Sequence, residues 1–211
     1  MKKNLLFLFL CFSPLTFAQD IETDNVIKVY ETLNFENGQY QTIKDFDNKK
    51  PSNNLLLTVN SDDNLAYRFT TADGKKVNKP EVIVYEGIPY FRIKSVYNYF
   101  DKESRGQGYD GGNYYLKAKI INNRLTFRDY FSSNTAGLLG GLSGALAARR
   151  QKVLLYNQET SKIKIFKNYK NLREFVTNNY PSKISFVDIA EKDETLKDEA
   201  DKVEFVLNNV L

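Results

Sequence analysis

The sequence contains no histidine and no tryptophan, and its single cysteine is Cys11, close to the amino terminus. Imidazole is the most frequent general base and a common metal ligand, and the thiolate is a common nucleophile. Zinc and copper sites depend on the same two side chains. If Cys11 is removed by processing, the remaining chain has neither group and forms no disulfide, so burial of its core alone must hold it together.

The amino terminus has the pattern of an export signal. A region with two lysines precedes the apolar core Leu5–Phe12, and Pro14 ends that core. Thr16-Phe17-Ala18 then places a small residue at each recognition position before the cleavage site. We therefore predict that residues 1–18 are a signal peptide. The mature protein is expected in the periplasm, in association with the cell envelope, or secreted.

Lipid attachment at Cys11 is the alternative for this segment. That modification requires small residues just before the cysteine, whereas Phe9 and Leu10 are bulky. The apolar run is also shorter than the roughly 20 residues that a membrane anchor needs. Cleavage after Ala18 is the favoured interpretation, and it removes the only thiol.

Composition indicates one globular domain over residues 19–211. Aromatic residues make up 14% of the chain and hydrophobic residues 42%, which favours a strand-rich core over disorder. The formal net charge of +4 comes from mixed lysines, arginines and acids. A nucleic-acid-binding protein would show a basic face, so we expect no nucleic-acid partner.

Short apolar segments separated by turn residues predict strands through most of the chain. Lys44–Lys50 interrupts them as a helical turn anchored by Phe46 and closed by Pro51. The predicted strands are Gly38–Ile43, Leu55–Val59, Leu65–Thr70, Val82–Tyr85, Tyr90–Ile93, Tyr114–Ile121, Leu125–Phe131, Val153–Tyr156 and Ile163–Phe166.

Helical spacing dominates the last part of the chain. Leu172, Phe175 and Val176 share one face, with Asn168 or Asn171 as the cap. A final helix is predicted from a cap within Asp193–Thr195, on the apolar spacing of Leu196, Ala200, Val203, Leu207 and Val210. The fold class is therefore α+β, an antiparallel β-meander (a sandwich or partial barrel) followed by C-terminal helices.

The most unusual segment is Ala136–Ala148, which has no charged residue and is followed by Arg149 and Arg150. On a helix its glycines and its leucines would form opposite faces, but about 20 Å of helix is shorter than a membrane core of about 30 Å. Three interpretations remain: a loop between strands, an amphipathic element that touches a membrane or partner, and a lid over a pocket. The candidate contact residues are Leu138, Leu142, Leu146, Arg149 and Arg150.

Tyrosines cluster around the glycine-rich stretch Gly106–Gly112. They could stack against sugar rings, although packing within a sheet is the more ordinary role of tyrosine. The G-x-G-x-x-G spacing in this stretch lacks the strand–helix crossover of a dinucleotide site, so we expect no cofactor. The candidate ligand-binding residues are Tyr97, Tyr99, Tyr114 and Tyr115.

Catalysis without imidazole or thiolate would need paired carboxylates or a serine with a lysine. No spacing in the sequence pairs two acids, so we expect no catalytic residue; a carboxylate-based hydrolase is the third-ranked function. The oxygen-rich turns 61–64 and 110–113 lack the alternating acids of a calcium loop, and no metal site is expected. The acids considered are Asp45, Asp47, Glu81, Glu86, Asp101 and Glu103.

One motif resembles a known group of proteins. The pattern G-x-Y-x-T-x-x-D-F-x-N-x-x-P-S over Gly38–Ser52 is similar to the opening motif of a group of uncharacterised exported bacterial proteins. In that group a tyrosine-led hairpin follows, similar to Tyr156–Ser161 here. The resemblance implies a shared envelope-side fold and brings no catalytic residue and no ligand.

These observations predict a non-catalytic, exported envelope protein that binds a partner or a membrane surface through Ala136–Arg150. A binding module for glycans or another small ligand, using the tyrosine-rich edge, is the alternative.

Overall fold

The structure is a computed structural model that describes residues 35–53, 57–61, 65–108, 112–133 and 149–211. The predicted signal peptide lies outside the described residues, as does Ala136–Ala148 with its three candidate leucines. The turn residues 62–64 and 109–111 also lie outside them.

An antiparallel sheet of seven strands forms the first layer. In sequence these strands are β1 (Gly38–Tyr40), β2 (Leu57–Ser61), β3 (Tyr67–Thr71), β4 (Lys76–Val77), β5 (Val82–Tyr85), β6 (Ile88–Arg92) and β8 (Tyr115–Lys117). Their order across the sheet is β1-β5-β6-β8-β3-β2, and β4 pairs with β3. The order departs from chain order because β3 lies beside β8.

The first sheet is strongly curled. Two strands separate β3 from β5, which in a flat sheet would hold them about 14 Å apart. The ring of Phe69 on β3 nevertheless lies with its centroid 5.9 Å from that of Tyr85 on β5. The sheet therefore closes into a half-barrel whose concave side has its own buried core, formed by Phe69, Ile83, Tyr90 and Tyr115.

A second antiparallel sheet contains β7 (Gln107–Gly108), β9 (Lys119–Ile121), β10 (Arg124–Ser133), β11 (Arg150–Asn157) and β12 (Lys162–Ile165). Its order is β12-β11-β10-β7, and β9 pairs with β10. The predicted single strand Tyr114–Ile121 is wrong in one respect, because the chain changes sheets at Ala118. The Ala118 N–H donates to Pro89 O (2.9 Å) beside the first sheet, whereas Lys119 already pairs with Thr126 in the second.

Helices cover the outer face of the second sheet. They are α3 (Tyr169–Asn179), α4 (Ser185–Lys192) and α5 (Glu199–Val210); α1 (Ile43–Asp47) and α2 (Ile93–Asn98) lie near the first sheet. Alternation along β11 explains the layering, since Leu154 and Tyr156 enter the core between the sheets while Val153 and Leu155 enter the core beneath the helices. The predicted α+β class, a curled antiparallel sheet followed by helices, is confirmed.

The helix caps were predicted in part. Asn168 caps α3, its side chain accepting from the Asn171 N–H (3.0 Å). The final helix begins later than predicted, because Asp198 is its cap and accepts from the Asp201 N–H (2.7 Å). Asp193 instead closes a local turn with Thr195, and helix α4 was not predicted. Among the helices of the described residues, none is long and apolar enough to cross a membrane.

The motif Gly38–Ser52 forms a hook. The predicted strand ends at Tyr40 instead of Ile43 because Thr42 and Asp45 make a capping box that starts α1. Phe46 is the predicted anchor, and its ring contacts those of Phe35, Tyr40 and Phe91 at 5.2–5.5 Å between centroids. The chain then returns past Pro51 and hydrogen-bonds to β1, with the Ser52 N–H donating to Gln39 O (2.7 Å).

Gly38 is required where the two arms of the hook meet. Its φ is +153°, and a Cβ at this position would lie 2.8 Å from Pro51 Cβ and 3.0 Å from Asn53 O. A side chain would therefore push the return arm away from β1. This close contact explains the glycine of the motif.

We predict that Gly38→Ala lowers the free energy of unfolding by about 2–4 kcal/mol, through overpacking and backbone strain. Gly74→Ala is the matched control, since Gly74 has φ +78° but no atom within 4 Å of an added Cβ. It should cost only about 1 kcal/mol. Urea denaturation measures both, and equal losses would contradict the close-contact explanation.

Candidate functional site

The second sheet brings together described residues that flank the two segments singled out in the sequence. Ser132 and Ser133 at the end of β10 pair with Gly108 and Gln107 of β7, and Phe131 pairs with Arg150 of β11. Gly108, Ser133 and Arg150 therefore lie at neighbouring positions at one end of the second sheet. We call this region, made of β7, Phe131–Ser133 and Arg149–Arg150, the sheet end.

Arg149 and Arg150 are held differently at the sheet end. The Arg149 guanidinium carbon lies 5.0 Å from the centroid of the Tyr130 ring, a cation–π distance. Arg150 is exposed, and its Nη1 donates to Arg149 O (2.8 Å). The sheet end thus carries one guanidinium stacked on Tyr130 and one on an exposed residue.

A chain of polar contacts ties Tyr130 to the helical layer. Gln151 Nε2 donates to Tyr130 Oη (2.9 Å), and Arg128 Nη1 donates to Gln151 Oε1 (3.3 Å). Arg128 also forms ion pairs with Glu204 (2.6 Å) and Asp201 (2.8 Å) of α5. Burial alone would lower the pKa of Arg128, but the two carboxylates outweigh it and the pKa is raised. The guanidinium therefore stays charged and fixes α5 against the sheet.

The two parts of the resemblance meet in a second polar cluster. The Tyr156 hydroxyl donates to Asp47 Oδ2 (2.6 Å), and the Ser161 hydroxyl donates to the same oxygen (2.9 Å). Tyr156 and Ser161 flank the β11–β12 turn, whereas Asp47 ends α1 of the hook. We call this contact the Asp47 latch, because it joins residues more than 100 positions apart.

Glu81, which directly precedes β5, contacts the same region. Its Oε2 accepts from the Ile43 N–H at the start of α1 (2.8 Å) and from the Tyr99 hydroxyl (2.9 Å). Burial, and then the hydrogen bond to Glu81, raise the pKa of Tyr99 to about 12. Tyr99 is therefore protonated at neutral pH and can donate this hydrogen bond. Glu81 Oε2 is used to hold the first residue of α1 and the Tyr99 hydroxyl.

Burial raises the pKa of the Asp47 carboxyl, although the hydrogen bonds from Tyr156 and Ser161 act in the opposite direction. Its Oδ1 is also buried and accepts no hydrogen bond within the described part of the chain. A raised carboxyl pKa occurs at acid–base sites. Here the carboxyl is used to hold two hydroxyl groups, which is a structural role.

The remaining acids considered in the sequence lie at turns and caps. Asp45 belongs to the capping box, Asp101 accepts from the Ser104 N–H (2.7 Å), and Glu103 pairs with Lys164 (2.5 Å). Glu86 is exposed at the β5–β6 turn, with φ 51°. The T-x-x-D spacing was the one signal in the sequence that could have assigned Asp45 to a cap. Within the described ranges, no group of three or more acidic, histidine or cysteine side chains could hold a metal ion.

The four candidate tyrosines do not form an exposed platform. Tyr114 and Tyr115 are 5% and 1% exposed. Both side chains therefore pack in the core and offer no surface on which a sugar ring could stack, as the sequence analysis had considered. Their hydroxyls donate to Asp129 Oδ2 (2.7 Å) and Pro80 O (3.0 Å). Tyr97 is half-buried against Phe100, with 5.2 Å between ring centroids.

Comparison of the chain with protein-family models, with curated proteins and with solved structures found no match. The resemblance carried by Gly38–Ser52 therefore stays a prediction, and the function has to be inferred from the geometry.

The raised pKa of Asp47 gives a pH test. At pH values below 3.8, the ordinary pKa of an aspartate, the Asp47 carboxyl is protonated in both the folded and the unfolded protein. Its contribution to the free energy of unfolding is largest at these pH values. As pH rises through the folded-state pKa, the unfolded chain has already released this proton and the stabilisation is lost. We predict that, relative to Asp47→Asn, the wild-type free energy of unfolding falls as pH rises from about 4 to about 7.

Asp73→Asn is the control of opposite sign. The hydrogen bonds from Lys75 and Thr71 lower the pKa of the exposed Asp73, so its contribution grows as pH rises. Urea denaturation at several pH values measures both differences. If the difference in unfolding free energy between wild type and Asp47→Asn stays constant or rises with pH, the burial of the Asp47 carboxyl is contradicted.

Proposed function

We propose that the protein is a non-catalytic envelope protein that binds a membrane surface at the sheet end. The observation that carries this proposal is the register of β10 against β11 and β7. Since Phe131 pairs with Arg150, the described residues on either side of the uncharged sequence Ala136–Ala148 lie at the same end of the second sheet, beside Arg149 and Arg150.

The chemistry of this region suits an anionic interface. An apolar face next to basic side chains is typical of segments that lie in the headgroup region of a bilayer. Each basic residue near an anionic surface contributes about 1 kcal/mol to binding. Because β10 and β11 are paired, the described residues before and after residues 134–148 lie at one end of the sheet.

The use of the other polar groups supports a binding role over catalysis. Asp47, Glu81 and Asp101 each accept hydrogen bonds that hold a helix or turn in place. Export by the predicted signal peptide would place the protein on the envelope side of the inner membrane, where it would meet a membrane surface.

We predict that replacing residues 134–147 by Asn-Gly abolishes membrane attachment and leaves the fold intact. In this variant the register of Phe131 against Arg150 would continue to positions 133 and 148, and Asn-Gly is the preferred two-residue hairpin turn. Cell fractionation and flotation with vesicles that contain anionic lipid measure attachment. An unchanged membrane fraction would overturn the proposal, and thermal unfolding checks the fold.

A point substitution separates charge from apolar contact. Arg150→Gln should weaken binding to anionic vesicles about fivefold, the effect of about 1 kcal/mol. Lys192→Gln removes the same charge from an exposed position on α4 and should leave binding unchanged. If both variants lose affinity equally, the attraction is not specific to the sheet end. If neither the wild type nor a variant binds vesicles, the proposal of membrane binding is overturned, and a protein partner is the remaining alternative.

A further inference from the structure

An apolar crevice of about 310 Å³ opens where the chain passes from the first sheet to the second. Its volume is at the lower end of the range of about 300–1,000 Å³ that is usual for small-molecule sites. Most of its lining surface is apolar, and the remaining lining residues are charged. The apolar lining residues are Leu65, Ala118 and Phe127.

The change of sheet at Ala118 creates this crevice. β9 pairs with β10 only over Arg124–Thr126. Before β9 the chain belongs to the first sheet, where the Ala118 N–H donates to Pro89 O (2.9 Å). The two segments therefore diverge beyond Thr126, and Phe127, the next residue of β10, lines the space between them. Strand pairing fixes both walls, so the crevice is preformed.

Three of the four charged lining residues belong to one ion-pair network. Glu204 of α5 accepts from Lys119 Nζ with one carboxylate oxygen and from Arg128 Nε with the other, each at 2.6 Å. Arg128 also pairs with Asp201 (2.8 Å), so two cations are balanced by two carboxylates. This network holds α5 on the sheet and adds no net charge to the crevice.

Lys117 is the fourth charged lining residue. It is the last residue of β8 and is exposed. Across the described part of the chain, its side chain forms no ion pair and no hydrogen bond. The lining therefore combines an apolar surface with one unbalanced ammonium group. An amphiphile that carries one negative charge is complementary to this combination, because its chain leaves water while its charge meets the ammonium.

We propose that this crevice binds a single-chain anionic amphiphile, an alkyl carboxylate of medium length. The alkyl chain lies against Leu65, Ala118 and Phe127, and the carboxylate lies towards Lys117. Phe127 and Phe131 are four positions apart on β10, about 13 Å along the strand. The crevice is therefore separate from the sheet end, and its ligand binds independently of membrane attachment.

Isothermal titration of the mature protein with monomeric decanoate, without vesicles, tests the proposal. We expect saturable binding of one decanoate per protein. Hexanoate has four fewer methylenes and should bind at least about tenfold more weakly, because each buried methylene contributes about fourfold to affinity. Decanol lacks the charge and should bind about fivefold more weakly than decanoate, because a charge-assisted hydrogen bond is stronger than a neutral one.

Two pairs of variants assign the contacts. Lys117→Gln should weaken decanoate binding about fivefold and leave decanol binding unchanged. Lys50→Gln removes the same charge from an exposed position of the hook and should have no effect. Leu65→Ala should weaken the binding of both ligands about fivefold or more. Leu57→Ala, at a half-buried position of β2 that does not line the crevice, should leave both unchanged.

Four results would overturn the proposal. They are the absence of saturable decanoate binding below its micelle concentration, equal affinity for hexanoate, equal affinity for decanol, and equal losses in Lys117→Gln and Lys50→Gln. Circular dichroism checks the fold of each variant, and the comparison of the three ligands on the wild-type protein does not depend on any variant. Since no titration contains vesicles, failure here and failure of membrane attachment are distinguishable.

Discussion

The architecture depends on the packing of other aromatic rings around the side chain of Phe91. It lies on β6 of the curled sheet, is fully buried, and packs against Phe46 of the hook at 5.3 Å between centroids. On its other side it packs against Phe127 and Tyr156 of the second sheet, at 4.8 and 5.6 Å. Aromatic burial of this kind joins hook, first sheet and second sheet in one core, in a chain whose single cysteine leaves it no internal disulfide to do so.

This aromatic core explains why several residues that the sequence analysis considered as functional candidates hold the fold together. Tyr156 contributes its ring to the core and its hydroxyl to Asp47, so the latch stands directly beside the packed rings. Tyr115 fills the concave side of the half-barrel, and Glu81 holds the start of α1. Once these side chains are assigned, the sheet end is the region on which the proposed function rests.

Local patterns predicted most of the strands and two of the C-terminal helices, whereas contacts between residues distant in sequence decided the roles of individual side chains. The apolar run Val82–Tyr85 depends on neighbouring residues alone, so the sequence was sufficient to predict this strand, and it narrowed the cap of α3 to Asn168 or Asn171. The change of sheet at Ala118 depends on Pro89, and the latch at Asp47 depends on Tyr156, and neither partner is near in sequence. The buried positions of Tyr114 and Tyr115 follow from the same cause, since alternation does not tell which face of a curled sheet is covered.

The central claim is that the sheet end is the functional surface while the hook and the latch maintain the fold. Hydrogen–deuterium exchange of the mature protein, with and without vesicles that contain anionic lipid, tests this claim most directly. The account predicts slower exchange on vesicles in peptides that cover Tyr130 to Gln151, and unchanged exchange in Gly38–Ser52 and Tyr156–Ser161. Protection centred on the hook or the latch, with none at the sheet end, would contradict it.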